Sequence, residues 1–128
     1  MAQFSLLIRS DPYSGTGHNS ALDFARALIR NQHSLKRVFF YQNAVLVGSY
    51  QQAPQGELAI HQEWASLAEQ SGTELHVCIA NALRRGITDH KEAQRYALPA
   101  TTLHPAFQLS GLGEMASALT DSDRVVEF

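Results

Sequence analysis

Residues 74–86 hold the side chains best suited to chemistry, because they include Cys78, the single cysteine of the chain. The apolar run at residues 75–78 predicts a strand, and residues 80–85 predict a helix directly after it. A thiol at such a junction faces unpaired backbone N–H groups and the positive end of the helix dipole, which favour the nucleophilic thiolate. This placement is typical of a residue that transfers sulfur or carries out redox chemistry.

Cys78 also has an ordinary structural interpretation, since free cysteines often pack as small buried hydrophobes. His76 lies two positions earlier, so a regular strand directs both side chains to one face, and His76 is either a candidate base or a packed histidine. Arg84 and Arg85 could favour the thiolate or contact an acidic partner, and the alternative is a solvated helix face. Because the chain has no second cysteine, any persulfide exchange must use the thiol of another protein.

Other motifs point to structure rather than chemistry. The glycine-rich segments at residues 14–17 and 111–113 lack the P-loop pattern and its lysine, so they predict tight turns. The six histidines show neither an i, i+4 pair nor a C-x-x-C companion, and we expect no structural zinc site and no cofactor. Asp11, Asp121 and Asp123 are expected to be turn and cap residues.

The composition is that of one globular domain spanning residues 1–128, with 45% hydrophobic and 17% charged residues. A net charge of -2 argues against a broad surface for direct nucleic-acid binding. No apolar run approaches the ~18 residues of a membrane span, and the first residues lack the features of a signal peptide. We therefore expect a cytosolic protein with a free thiol and no membrane contact.

Short strand patterns alternate with helical patterns along the chain. The predicted strands cover residues 4–8, 38–41, 75–78, 107–109 and 124–128. The predicted helices cover residues 18–31, 57–70, 80–85, 90–96 and 110–119, with residues 44–56 mostly a loop containing a short helical turn.

This alternation predicts an α/β fold, a single-domain three-layer sandwich with a mostly parallel five-stranded sheet and helices on both faces. Functional sites in such open sheets lie beyond the carboxyl ends of the strands. Residues 10–17, 41–56 and 78–86 follow the first three strands, so we expect them to meet at that edge.

Apolar and aromatic residues are concentrated around the predicted second strand and the loop after it. The set comprises Phe39, Phe40, Tyr41, Val45, Leu46, Val47 and Tyr50. Most of these side chains are expected in the core, and a subunit interface that buries the others would explain their number. We therefore expect the protein to assemble with other subunits.

The whole chain resembles the DsrE/DsrF-like sulfurtransferase family. The resemblance is carried by residues 20–29, 38–41, 77–86, 107–113 and 123–128. The cysteine followed by Ala-Leu-Arg-Arg-Gly at residues 82–86, together with Leu-Ser-Gly-Leu-Gly at residues 109–113, makes it specific. The loop at residues 11–18 departs from the family pattern, so no role is carried over to its residues.

The resemblance implies that Cys78 is the persulfide carrier of a sulfurtransferase. It also implies a heterohexamer, a dimer of heterotrimers, built with TusB-like and TusC-like paralogous subunits. Sulfur would arrive from a TusA-like donor and leave for a TusE-like acceptor, on the way to 2-thiouridine at the tRNA wobble position. The alternatives are a DsrE-type subunit of dissimilatory sulfur oxidation and a non-catalytic subunit that organises its paralogues.

Overall fold

The computed structural model describes residues 1–53 and 59–128, and the strands of these residues form one sheet in the order β4-β3-β2-β1-β5. Each neighbouring pair of strands is parallel. The strands are β1 (Gln3–Ile8), β2 (Ser34–Phe40), β3 (Glu74–Cys78), β4 (Phe107–Ser110) and β5 (Arg124–Glu127).

Helices connect the strands and lie on both faces of the sheet. They are α1 (Gly17–Arg30), α2 (Ile60–Ser71), α3 (Ile79–Leu83), α4 (His90–Arg95) and α5 (Leu112–Asp121), and a 3₁₀ helix (Gln42–Gly48) follows β2. The predicted α/β fold is confirmed, with a sheet that is wholly rather than mostly parallel. None of the described helices is long and apolar enough to cross a membrane.

The sheet face beneath α1 and α2 forms an apolar core. The register of β1 and β2 pairs Leu6 with Val38 and Ile8 with Phe40, and all four side chains are fully buried. Trp64 of α2 packs edge-on against Phe40, with ring centroids 5.2 Å apart. Full burial of a side chain of this kind stabilises the fold by about 1.5–3 kcal/mol.

Two element boundaries differ from the sequence prediction. β2 begins at Ser34 rather than at residue 38. Lys36 and Arg37 make the segment look polar in the sequence, but Leu35 and Arg37 are buried in the sheet. The predicted loop at residues 44–56 begins as a full 3₁₀ helix. Its last residues, and the predicted start of α2 at residue 57, lie outside the described residues.

The end of α2 confirms the predicted glycine cap. Gly72 has a left-handed backbone conformation (φ 75°), which glycine adopts at little cost. Its N–H donates to the carbonyl of Ala68 and closes the last turn. The chain then enters β3, which leads directly to Cys78.

The core accounts for most of the apolar residues around β2. Phe39, Phe40, Val45 and Val47 are fully buried within the subunit, so they need no interface to cover them. Of the remaining residues in the set, Tyr50 is 60% exposed. The abundance of apolar side chains in this region is thus a poor argument for assembly, and the predicted hetero-oligomer stays a prediction.

Candidate functional site

Cys78 is the last residue of β3 and the N-cap residue of α3. Its thiol is free, and the residue is only 3% exposed. The predicted order of strand, thiol and helix is therefore present. However, α3 has five residues, so few aligned peptide dipoles act on the thiol.

Three segments meet at the carboxyl edge of the sheet, as the sequence predicted. The backbone N–H of Gln42, at the start of the 3₁₀ helix, donates to Asn81 Oδ1 of α3 at 2.8 Å. The Tyr13 hydroxyl, in the loop after β1, donates to the Leu46 carbonyl at 3.4 Å. These contacts join the connection after β2 both to the connection after β1 and to the connection after β3, which begins at Cys78.

The two arginines after Cys78 have different surroundings. Arg85 is fixed along the surface, where its Nε and Nη2 donate to Asn43 Oδ1 at 3.2 Å and 2.9 Å, and its Nη1 donates to the Asn81 carbonyl at 3.0 Å. Arg84 is exposed, and its guanidinium makes no hydrogen bond to the described residues. Arg84 is therefore the more available of the two for a partner molecule.

His76 lies on the same sheet face as Cys78, yet its ring nitrogens have other partners. Nδ1 lies 2.6 Å from Ser110 Oγ, and Nε2 lies 2.8 Å from Glu74 Oε1. The ring is 4% exposed, and Glu114 Oε1 lies 3.6 Å from Nε2. Within the described residues no hydrogen bond joins His76 to Cys78.

Ser110 is the neighbour of Cys78 that sequence reasoning missed. The parallel register of β3 and β4 pairs His76 with Gln108 and Cys78 with Ser110. Paired residues of parallel strands project to the same face, so the Ser110 hydroxyl and the Cys78 thiol share one side of the sheet. The signal in the sequence was the Leu-Ser-Gly-Leu-Gly motif, but the motif does not reveal which strand it pairs with.

A buried arginine organises the rest of this polar face. Arg37 is 2% exposed and donates from Nη1 and Nη2 to the two carboxylate oxygens of Asp121, at 2.8 Å and 2.7 Å. Its Nε donates to Glu114 Oε1 at 3.0 Å, and its Nη1 also donates to Ser5 Oγ at 3.1 Å. Such two-pronged bonds between a guanidinium and a carboxylate are among the strongest hydrogen bonds in proteins.

Asp121 is therefore not the simple cap or turn residue that the sequence predicted. Hydrogen bonds from Arg37 and then Lys36 hold the pKa of Asp121 well below its usual range. The same hydrogen bond raises the pKa of Arg37, against the effect of its burial. By contrast, Asp11 does stabilise a turn, because its Oδ1 accepts from the Tyr13 backbone N–H at 2.7 Å. Asp123 does not cap a local turn with its side chain, since its Oδ2 accepts from the distant Gln3 N–H at 2.7 Å.

Glu74, His76 and Glu114 bring three potential metal ligands within 4.8 Å of one another. Glu114 Oε1 already accepts a hydrogen bond from Arg37, and Glu74 Oε1 is already paired with His76. A cation at this position would compete with the Arg37 guanidinium for the same carboxylate. The cluster is better described as an ion-pair and hydrogen-bond network than as a metal centre.

Comparison with known proteins identifies the family. The sequence model of the DsrE/DsrF-like family matches residues 2–128, and the chain therefore belongs to that family. It is 45% identical to sulfurtransferase TusD of Serratia proteamaculans, with 100% of both chains covered. It is 43% identical to sulfurtransferase TusD of Cronobacter sakazakii, covering 98% of this chain and 99% of the relative.

A solved structure supports the fold independently. The crystal structure of the ychN protein from E. coli matches with a TM-score of 0.79 at 21% identity, and 100% of both chains is covered. This likeness shows the fold alone. The family match and the full-length sequence relatives place the protein among the sulfurtransferases of the DsrE/DsrF-like family and confirm the resemblance read from the sequence.

Proposed function

We propose that the protein is a sulfurtransferase subunit that carries sulfur as a persulfide on Cys78. The observation that carries the proposal is a free thiol at the end of β3, in a chain 45% identical over its full length to a sulfurtransferase TusD. Because Cys78 is the single cysteine, the donor thiol and the acceptor thiol must both belong to other molecules.

The proposed reaction moves one sulfur atom between two thiols without net oxidation. The Cys78 thiolate attacks the outer, sulfane sulfur of a donor persulfide and forms a new S–S bond. The S–S bond of the donor breaks, and its electron pair leaves with the donor sulfur, which takes up a proton. A second exchange of the same kind, with an acceptor thiolate attacking the Cys78 persulfide, returns Cys78 to the thiol.

The burial of Cys78 sets a condition on this chemistry. At 3% exposure the thiol cannot meet a protein-bound persulfide unless the elements around it move. Two surface hydrogen bonds, Gln42 to Asn81 and Arg85 to Asn43, join the 3₁₀ helix to residues 81–85 and are a small obstacle. The neutral bond contributes about 0.5–1.5 kcal/mol net, and the bond from the charged Arg85 at most about 1.5–3 kcal/mol, so a docked partner can displace them.

The identity of the partners is also a proposal. We infer that the protein acts in the cytoplasm, as one domain spanning residues 1–128, within a heterohexamer that contains TusB-like and TusC-like subunits. A TusA-like donor and a TusE-like acceptor would place it in 2-thiouridine synthesis at the tRNA wobble position. The similarity to sulfurtransferases named TusD supports this assignment over DsrE-type sulfur oxidation. The exposed Arg84 offers a cation near Cys78 for an acidic donor or acceptor surface.

The test of the thiol uses glutathione persulfide as the sulfur donor and intact-mass spectrometry as the readout. The wild-type protein is expected to gain the mass of one sulfur atom, located at Cys78 by peptide mapping, and to lose it when a thiol acceptor is added. The Cys78→Ser variant is the matched control and should gain none. A folded wild-type protein that never takes up sulfur, or a Cys78→Ser protein that takes up as much, would refute the proposal.

The test of the pathway is the 2-thiouridine content of tRNA in a strain that carries Cys78→Ala. Loss of the modified base with the subunit still present supports the role in tRNA thiolation. A normal content would favour the organising subunit. Normal thiolation combined with loss of sulfur oxidation would favour the DsrE-type subunit.

A further inference from the structure

We propose that Ser110, His76 and Glu74 form a proton relay that removes the thiol proton of Cys78 during sulfur transfer. The proposal rests on the proposed persulfide chemistry of Cys78 and adds three positioning residues to it. It starts from the juxtaposition of a carboxylate, an imidazole and a hydroxyl in one hydrogen-bonded chain. That chain ends at the residue paired with Cys78 in the sheet.

The hydrogen bonds of His76 fix which group donates and which accepts along the series from Ser110 to Glu74. Glu74 Oε1, a carboxylate oxygen 2.8 Å from Nε2, can only accept, so Nε2 carries the proton and donates it. Nδ1 of the neutral ring then has a lone pair, and it accepts from the Ser110 hydroxyl at 2.6 Å. Ser110 Oγ, having directed its own proton to His76, keeps lone pairs free to accept a further hydrogen bond.

The sheet places that acceptor beside the thiol. Ser110 and Cys78 are register partners on neighbouring parallel strands, whose axes lie about 4.8 Å apart. His76 is a less suitable direct base, because it lies two positions along the same strand, roughly 6.6 Å away, and both its ring nitrogens are already engaged. Among the described residues no hydrogen bond joins Ser110 Oγ to the Cys78 thiol, so the relay requires one of these two side chains to rotate toward the other during the reaction.

The relay step balances protons and electrons. The Cys78 thiol proton passes to Ser110 Oγ as the Ser110 proton passes to His76 Nδ1, which leaves a thiolate and an imidazolium. The thiolate attacks the sulfane sulfur of the donor persulfide, and the electron pair of the broken S–S bond leaves with the donor sulfur. The imidazolium proton returns along the same chain to the departing thiolate, so no oxidant or reductant is required.

Three charged side chains lie around His76. Glu74 Oε1 and Glu114 Oε1 lie 2.8 Å and 3.6 Å from Nε2, so two carboxylates face the developing positive charge. Burial of the ring opposes the charge, as does the Arg37 guanidinium, which lies 3.0 Å from Glu114. Arg37 is itself paired with Asp121, at 2.7 Å.

The experiment measures the rate of persulfide formation on Cys78 with glutathione persulfide, by quenched-flow mass spectrometry. Ser110→Ala is expected to lower the rate at neutral pH by about tenfold, without changing the final extent. This is less than the roughly 100- to 10,000-fold effect of a general base in direct contact with its substrate, because Ser110 only passes the proton on to His76. The deficit should shrink as the pH rises, because hydroxide then removes the thiol proton without the relay. Ser110→Thr keeps the hydroxyl and should recover most of the rate.

Matched controls separate this role from packing. Ser117→Ala removes an exposed hydroxyl from α5 and should leave the rate unchanged, and thermal melting checks that each variant is folded. A Ser110→Ala protein that reacts at the wild-type rate, or one whose deficit is the same at every pH, would overturn the relay while leaving Cys78 as the carrier. Failure of the wild-type protein to take up sulfur would instead contradict the proposed function.

Discussion

The face of the sheet that packs against α1 and α2 is lined by Leu6, Val38 and Phe40, whereas the face beneath α5 presents Ser5, Arg37 and His76. Apolar burial stabilises the first face, and it needs no directional partners. The second face is stabilised by ion pairs and hydrogen bonds whose geometry must be satisfied, since a buried polar group without a partner is costly.

The difference shows where this fold can hold reactive groups. Cys78 and Ser110 project to the polar face, where His76 and Glu74 extend a hydrogen-bonded chain. A nucleophile on the apolar face would have mostly hydrocarbon around it, apart from His18, whose ring nitrogens are engaged by Ser10 and Trp64. The polar face also keeps limited access to solvent, because the Glu114 and Asp121 side chains are 33% and 34% exposed.

The largest effect is expected from Trp64→Ala on the apolar face. Trp64 is fully buried against Phe40, and truncation of such a side chain removes its transfer free energy and leaves a cavity. We expect the free energy of unfolding to fall by about 3–5 kcal/mol. Urea denaturation followed by circular dichroism measures the change.

Glu69→Ala is the matched control for Trp64→Ala, since Glu69 is exposed on the same helix and should cost little. The comparison of the two faces would fail if Trp64→Ala were no more destabilising than this control. That result would mean that the apolar face contributes little to stability and that the polar network dominates.

The next effect is expected from Asp121→Asn on the polar face. The amide cannot balance the charge of Arg37, which stays 2% exposed with one carboxylate partner, Glu114, instead of two. Removing one member of a buried pair destabilises strongly because the other charge is left uncompensated. We expect a clear drop in melting temperature, smaller than that of Trp64→Ala because the Asp121 carboxylate itself reaches solvent.

A double variant sharpens this prediction. Arg37→Met combined with Asp121→Asn removes the stranded charge, so its melting temperature should lie above that of Asp121→Asn alone. Arg9→Gln is the control on an exposed pair, Arg9 with Glu127, and should change the melting temperature little. A double variant less stable than either single variant would show that Arg37 contributes by packing rather than by charge.

The sequence predicted what depends on local pattern. The helical spacing of α1 and the apolar run of β3 placed both elements to within a few residues, and with them the position of Cys78 at a strand end. The α/β fold followed from the alternation of such elements. These inferences need only residues a few positions apart.

The polar face was missed because its pairs are distant in the chain. Arg37 meets Asp121 across 84 positions, and His76 meets Ser110 across 34. A charged residue inside a strand reads locally as exposed, and its partners become visible only when the strand order and the position of α5 are known. The sequence therefore located the nucleophile but not the residues that surround it.

The smallest expected effect is a pH dependence of stability that separates the two faces. His18, on the apolar face, donates from Nε2 to the Ser10 carbonyl at 2.8 Å and accepts at Nδ1 from the Trp64 indole N–H at 3.1 Å. Burial lowers the pKa of His18, while the Ser10 carbonyl and Asp11 act in the opposite direction. Only the neutral ring satisfies both bonds, since a proton on Nδ1 would oppose the indole N–H.

Because the folded protein binds this proton less readily than the unfolded chain, stability is fully present above the unfolded histidine pKa of about 6.5 and is lost as the pH falls below it. Asp121 also has a lowered pKa, but its contribution is lost only below the unfolded value of about 3.9. Between these two pH limits the apolar face should therefore weaken first.

His18→Gln keeps an acceptor and a donor without titrating. Urea denaturation at pH 7.5 and pH 5 should therefore show a smaller loss of unfolding free energy in this variant than in the wild type. Part of the slope should persist, because burial lowers the pKa of His61 and of His104 as well. An unchanged slope in His18→Gln would mean that the interior tolerates the protonated ring, and the contrast between the faces in mild acid would not hold.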